Sequence, residues 1–379
     1  MRSLFPFLLL AACSAGGEAA ESNAEAAARP GGARPFDVRQ ITIFDEPWAM
    51  AFLPGSGPRA LVTERKGKLR LLWSDVGRVG EVKGAPKVDY GGQGGLGDVV
   101  LHPRFAQNRL VYLSWVEAGE GGNRGAVVGR ARFLEGAQGP RLEGLQVIWR
   151  QSPKLSGRGH FGHRIAFGPD GKLYISSGER QEFTPAQDMS ANLGKVLRLN
   201  DDGTVPADNP FASRGGVTAQ VWTLGHRNPL GLAFDGSGRL WEIEMGPKGG
   251  DELNLIERSK NYGYPIVSNG DHYDGKDIPD HKTRPEFEAP KVWWTPVISP
   301  GGMIFYSGSA FPGWSGDVLV AGLSSKALIR VDVNGASARE AERWDMGKRI
   351  REVEQGPGGS VYLLEDGEGA RLLKLTPAR

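Results

Sequence analysis

Between Gly225 and Pro265 the chain reads GHRNP (Gly225–Pro229), EMGPKGGDELNLIE (Glu244–Glu257) and NYGYP (Asn261–Pro265). These runs gather an Arg-Asn pair (Arg227, Asn228), a Gly-Pro corner with free carbonyls (Gly246, Pro247) and an acidic-aromatic set that includes Glu252 and Tyr262. Glycine lets a backbone come close to a ligand, and carbonyl and carboxylate oxygens are the ligands Ca²⁺ prefers. The segment therefore reads as a site for a ligand and a metal rather than as a plain connection.

Two further sets carry chemistry. His160, between Gly159 and Phe161, lies outside the alternating run that begins near Arg164, which puts it on a loop. A neutral imidazole there suits a general base; the alternative is a structural histidine donating to backbone. Arg349 and Arg351 are one residue apart in an expected strand and so point the same way. Two guanidiniums converging on one spot repel each other unless an anion lies between them. The plainer alternative is an exposed strand face paired with Glu352 or Glu354.

The elements that must position these residues repeat. An apolar alternation, a Pro/Asp/Gly turn and a second alternation recur at Ala49–Arg65, Asp98–Val116, Arg164–Glu179, Gly231–Glu244, Gly302–Gly322 and Glu352–Asp366. Alternation around turn residues means hairpins, and starts about 50 to 70 residues apart match propeller blades with inserted loops. Lys195–Asn200, Ala327–Val333 and Arg371–Pro377 add third strands. Val38–Phe44 has no hairpin partner of its own, so it is expected to join the last blade and close the ring. The expectation is an all-β, six-bladed β-propeller over residues 36–379, against a two-sheet sandwich. The candidate residues fall at equivalent places in the repeats: Gln93 before the second, His160 and Arg164 at the third, Arg227 and Asn228 at the fourth, Arg349 and Arg351 at the sixth.

Taken together, these motifs resemble the soluble pyrroloquinoline quinone (PQQ)-dependent aldose sugar dehydrogenases, relatives of the soluble quinoprotein glucose dehydrogenases. The resemblance runs from about Trp48 to Leu375 and includes GGQGGLGDVVLHPRF (Gly91–Phe105), HFGHRIAFGPDGKLYISSGE (His160–Glu179), LGKVLRLNDDGTVPADNPF (Leu193–Phe211) and RIREV (Arg349–Val353). It implies oxidation of an aldose at the anomeric carbon to an aldonolactone. His160 would take the hydroxyl proton as hydride passes to the quinone. Arg227 and Asn228 would contact the quinone, with Gln93 near the reacting carbon and Arg349 and Arg351 on the PQQ carboxylates. The Gly246 and Pro247 carbonyls would hold a catalytic Ca²⁺; Glu252 and the Tyr262 carbonyl would hold a second, structural one, against a salt-bridged Glu252 and a core Tyr262.

This sequence departs from the family at several places. Leu230 stands where relatives often have glutamine, Glu179 replaces a common aspartate, and Ser324 replaces a cofactor-binding lysine. Lys326 would substitute for that lysine if both residues share the face of a regular strand. His163, where relatives carry a small residue, reads as a surface histidine or a second polar contact at the mouth. The insertions that flank the sugar in glucose-specific relatives are absent around Asn269–Lys291, which implies an open site and broad aldose use.

The start of the chain, Met1-Arg2 followed by the apolar run Leu4–Ala12, reads as a secretory leader. Leu10-Ala11-Ala12-Cys13 resembles a lipoprotein cleavage box. Residues 1–13 would be the signal, Cys13 the lipid anchor, and 14–35 a flexible tether, which places the protein at the periplasmic face of the envelope as an outer-membrane lipoprotein. The alternative is an ordinary leader with an incidental cysteine. Cys13 is the only cysteine, so no intramolecular disulfide forms.

Charge excludes one class of partner. The formal net charge of +2 becomes about +1 once Arg2 leaves with the leader, which gives no electrostatic case for nucleic acid. The expected partners are a small aldose and an electron acceptor, a cytochrome or a membrane quinone, with the protein a monomer. The competing readings are a non-catalytic sugar- or partner-binding propeller and, last, a metal-dependent lactonase, which needs a cage of Glu, Asn and Asp in the channel.

Overall fold

The computed structural model describes residues 34–55 and 57–378. Cys13, the leader and the tether up to residue 33 lie outside the described residues. Six four-stranded antiparallel sheets stand around a common axis, five of them running outward in sequence order and the sixth completed by the first strand. Their innermost strands are Pro47–Phe52, Leu96–Leu101, Gly162–Phe167, Pro229–Phe234, Pro300–Phe305 and Ile350–Gln355. The ring closes as the repeats imply: Phe36–Phe44 pairs with Ala370–Pro377 and becomes the outer strand of the sixth blade. That pairing ties the first described strand to the last one and covers the edge of Ala370–Pro377.

Alternation supplies the packing. Every junction between neighbouring blades holds its own apolar cluster, such as Leu61, Leu71, Val99 and Leu113 between the first two blades, or Met50, Val62, Tyr362 and Leu364 between the last and the first. Side chains on successive strand positions point to opposite faces, so each sheet feeds two clusters and the ring is stabilised all the way round.

Each innermost strand also carries a register shift near its start, as between Gly162 and Ile165, Pro229 and Gly231, or Ile350 and Glu352. A bulge adds an unpaired residue and re-aims the side chains around it. Because the strands are antiparallel, the start of a first strand and the end of the second lie at one rim of the ring. Two places per blade therefore face that rim. The fourth blade adds a long excursion between Asp251–Ile256 and Val292–Trp294, tied down by a small ribbon of Lys248–Gly249 with Gly270–Asp271.

Candidate active site

Two adjoining cavities open at this rim. The smaller, about 240 Å³, is lined by Trp48, Gln93, His163, Leu230, Arg349 and Arg351, with Arg65 and Asp366 beside them. The larger, about 400 Å³, holds His160, Glu179, Arg227, Pro247, Tyr264 and Tyr273. Gln93 links them, because its Oε1 accepts the His160 backbone N–H at 2.8 Å. The rim thus gathers Gln93, His160, Arg227, Pro247, Arg349 and Arg351, which lie far apart in the chain.

His160 sits in a left-handed conformation (φ 45°) just before the bulged strand. Its Nδ1 is bonded to Glu179, whose other oxygen accepts the Phe183 N–H at 2.7 Å. Burial pushes the His160 pKa below its ordinary value, against the opposing pull of Glu179. Burial pushes Glu179 upward in turn, but its bond to His160, the His160 and Arg227 charges and the Phe183 N–H together outweigh this and hold the carboxyl below its usual range. The carboxylate orients the ring and fixes its tautomer. This leaves Nε2 as the basic nitrogen of the neutral ring.

Arg227 is fixed at both its backbone and its side chain. Glu244 Oε2 accepts the main-chain N–H groups of Arg227 and Asn228, and Arg227 Nη1 donates to the Met245 and Gly246 carbonyls at 2.9 and 2.6 Å. Arg227 Nε and Asn228 Oδ1 are buried and find no hydrogen-bond partner among the described residues. Such atoms are costly, and Arg227 lines the larger cavity, where a ligand would supply its partner.

Arg349 and Arg351 do converge. The anion between them is Asp366, not Glu352 or Glu354: Arg349 Nε donates to one oxygen at 2.8 Å, and Arg351 Nε and Nη2 donate to the other at 2.9 and 2.8 Å. Burial pushes Asp366 upward, but the two guanidiniums more than offset it, and the carboxyl stays below its usual range. Glu352 instead pairs with Arg164, deeper on the axis, and Arg164 also reaches Asp98 at 3.4 Å. A separate cavity of about 510 Å³ beyond them, lined by Asp98, Glu352 and Glu354, opens toward the other end of the channel.

His163 is not a surface residue. It is 2 % exposed, bonds Ser114 Oγ at 2.7 Å and stacks on Trp48 with ring centroids 5.0 Å apart. Burial, then the Arg164 charge, push its pKa down to about 3. The bulge turns its side chain inward toward the second blade, and Gly97 makes room, since a Cβ there would collide with the imidazole. Lys326 also departs from expectation. Ser324 and Lys326 lie in the turn between Val318–Gly322 and Ala327–Asn334, so no strand face joins them. Lys326 is exposed at φ 53° and does not line either cavity.

Gly246 lies behind Arg227, while Pro247 reaches the larger cavity. Glu252 and Tyr262 are both buried farther back: Glu252 faces Asn254 and His281, and the Tyr262 ring stacks on His226. Sequence reasoning missed Arg65 and Asp366, and treated Glu179 only as a departure from the family. All three follow directly on second strands: Arg65 after Arg59–Glu64, Asp366 after Val361–Glu365, and Glu179 two residues past Leu173–Ser177. The recurring hairpin pattern held that signal.

Comparison with known proteins agrees with this architecture. The description of the family "Glucose / Sorbosone dehydrogenase" matches residues 44–374. The chain is 40 % identical to aldose sugar dehydrogenase YliI of Escherichia coli over 88 % of its own length and 90 % of that protein. The crystal structure of the soluble Escherichia coli aldose sugar dehydrogenase in its apo-form superposes with a TM-score of 0.85 at 40 % identity, covering 90 % of this chain and all of that one. The PQQ-bound form of aldose sugar dehydrogenase from Streptomyces coelicolor gives a TM-score of 0.72 at 29 % identity, covering 90 % of this chain and 98 % of that one. With a matching family description over most of the chain and a close relative along nearly its full length, the protein belongs to the glucose / sorbosone dehydrogenase family.

Proposed function

We propose that this protein oxidises aldoses at the anomeric carbon to aldonolactones, with PQQ and Ca²⁺ as cofactors. The observation that carries the reading is His160, held by Glu179 in the larger cavity, facing Arg227 and adjoining the Arg349–Arg351 pair. When bound, PQQ accepts the hydride, and Ca²⁺ supplies Lewis-acid polarisation.

The chain's own residues supply the rest. His160 Nε2 takes the proton from the anomeric hydroxyl, and Glu179 stabilises the imidazolium that forms. Arg227 and Asn228 bring a cation and an amide to the place where negative charge develops, and their unpartnered Nε and Oδ1 atoms fit a polar ligand. Arg349 and Arg351 suit a polycarboxylate, with Gln93 in the wall between the cavities. The Gly246 and Pro247 carbonyls would hold the calcium, and the Gly246 carbonyl already accepts from a cationic group, Arg227. That is the donor chemistry a hard cation requires. Tyr264 and Tyr273, with Arg227 5.9 Å from each ring, give the larger cavity amphipathic walls suited to a sugar.

The proposal extends to the ends of the path. Electrons leave for a cytochrome or a membrane quinone, the propeller acts as a monomer, and export on the leader with lipid on Cys13 holds it at the envelope. Purified protein loaded with PQQ and Ca²⁺ should reduce an electron-accepting dye with several aldoses, and His160→Ala should lower kcat by about 10²–10⁴. Cofactor bound with no turnover on any aldose would leave a binding protein in its place.

A further inference from the structure

Behind the GHRNP turn lies a group of polar side chains with no contact to either rim cavity. Glu242 and Glu244, on the second strand of the fourth blade, pair across the sheet with Asn254 and Glu252 on the third. All four point to one face, and all are buried. Glu244 and Glu252 are directly opposed, an arrangement that repels unless something positive lies between. The ion-pair partners of the three carboxylates are imidazoles: His226 Nδ1 is 3.3 Å from Glu244 Oε1 and 3.8 Å from Glu242 Oε2, and His281 Nε2 is 3.4 Å from Glu252 Oε1.

Hydrogen bonding does not resolve the crowding. One amide group, Asn254 Nδ2, is shared among Glu242, Glu244 and Glu252 at 3.1, 3.5 and 3.4 Å. Glu242 Oε1 and Asn254 Oδ1, both on fully buried residues, have no partner among the described residues. Meanwhile His226 Nε2 lies 2.9 Å from the buried Thr223 Oγ1. If Nε2 donates there, Nδ1 turns a lone pair toward two carboxylates, which is favourable only around a cation. A second hydrogen bond of this kind is the usual companion of a metal-bound histidine.

We propose that His226 Nδ1, Glu242 and Glu244 bind a divalent first-row transition ion, with Asn254 Oδ1 joining them once its amide is turned over, since Nδ2 is the atom that faces the carboxylates now. One atom from each of His226, Glu242 and Glu244 already lies within 4.8 Å of the others. Calcium takes oxygen ligands, whereas a donor set that includes imidazole suits ions such as Zn²⁺ or Mn²⁺. The donor set is therefore different from that of a calcium held by Glu252 and the Tyr262 carbonyl. The ion would join the end of the third blade, through His226, to the fourth. It would also position Arg227, because Glu244 presents one oxygen to the ion and the other to the Arg227 and Asn228 N–H groups. This assignment does not depend on the redox reading.

The test is elemental analysis of the full chain purified without chelator, followed by melting after ion removal with Zn²⁺, Mn²⁺ or Ca²⁺ restored singly. About one equivalent of Zn²⁺ or Mn²⁺ per chain is expected, with Tm recovered by that ion. Glu242→Gln should weaken its binding by more than the roughly 10–100-fold typical of residues outside the ligand set. Purified protein without a transition ion, and a Tm indifferent to both, overturns the proposal without recourse to any variant. So does a site that responds to Ca²⁺ alone and loses that response in Glu252→Gln but not in Glu242→Gln.

Discussion

Arg351 donates through both Nε and Nη2 to a single oxygen of Asp366, at 2.9 and 2.8 Å, with only 13 % of the arginine side chain exposed. Arg349 reaches the other oxygen of the same carboxylate but is 47 % exposed. The two arginines therefore differ in how far each is tied to the fold. Arg351→Ala should destabilise the ligand-free protein by about 1.5–3 kcal/mol, the range for hydrogen bonds to charged groups. Arg349→Ala should cost at most about 1 kcal/mol, because exposed pairs contribute little. Both should weaken PQQ binding. Denaturant melts and a cofactor titration on each variant separate the effects, and equal stability losses would refute the asymmetry.

Glu179 raises the His160 pKa, although burial keeps the net shift downward. The acid limb of kcat/KM should therefore lie below the ordinary histidine value of 6.5. In Glu179→Gln it should move further down, since the anion favouring imidazolium is gone. The variant should also lose part of the roughly 10²–10⁴-fold that general-base catalysis provides, because a neutral amide no longer selects the tautomer. A pH–rate profile checks both; an acid limb moving upward would contradict this account.

His163 contributes to acid sensitivity. Its folded pKa, about 3, lies below the unfolded value of 6.5, so the unfolded chain binds the proton first as pH falls. The stability is present above pH 6.5 and is lost on acidification toward pH 3. Between pH 7 and pH 5 this group should account for a loss on the order of 2 kcal/mol, at 1.36 kcal/mol per pKa unit. His163→Asn should flatten the stability–pH curve over that interval while lowering stability at pH 7. An unchanged slope would mean that other groups govern it.

Glu354 gives the opposite slope. Burial, then the Glu352 charge, raise its pKa from 4.5 to about 8. A raised carboxyl is protonated in the folded protein, so its favourable contribution is present below pH 4.5 and lost as pH rises through 8. Glu354→Gln should therefore raise Tm at pH 8.5 relative to wild type, with the advantage gone at pH 5. Calorimetry at the two pH values reads it directly, and a variant that melts lower at both is the contrary result.

Much of the architecture was legible from residue order alone. Alternation around turn residues is a local property, and six recurrences, with the unpaired Val38–Phe44, specify both the blades and the closure with Ala370–Pro377. His160, Arg227, Arg349 and Arg351 could be located because each falls at the start of a repeat, and the starts of repeats share a rim. What the tertiary structure alone decided are the partners. Asp366 reaches Arg349 and Arg351 because an antiparallel hairpin returns the end of a second strand to the rim where the first began. Glu179 meets His160 for the same reason. His163 turned inward because a bulge reverses which face a side chain takes, and no period-two pattern records an extra residue. The crowding of Glu242, Glu244, Glu252 and His226 arises from register between strands and from the seam between two blades, distances that sequence separation does not encode.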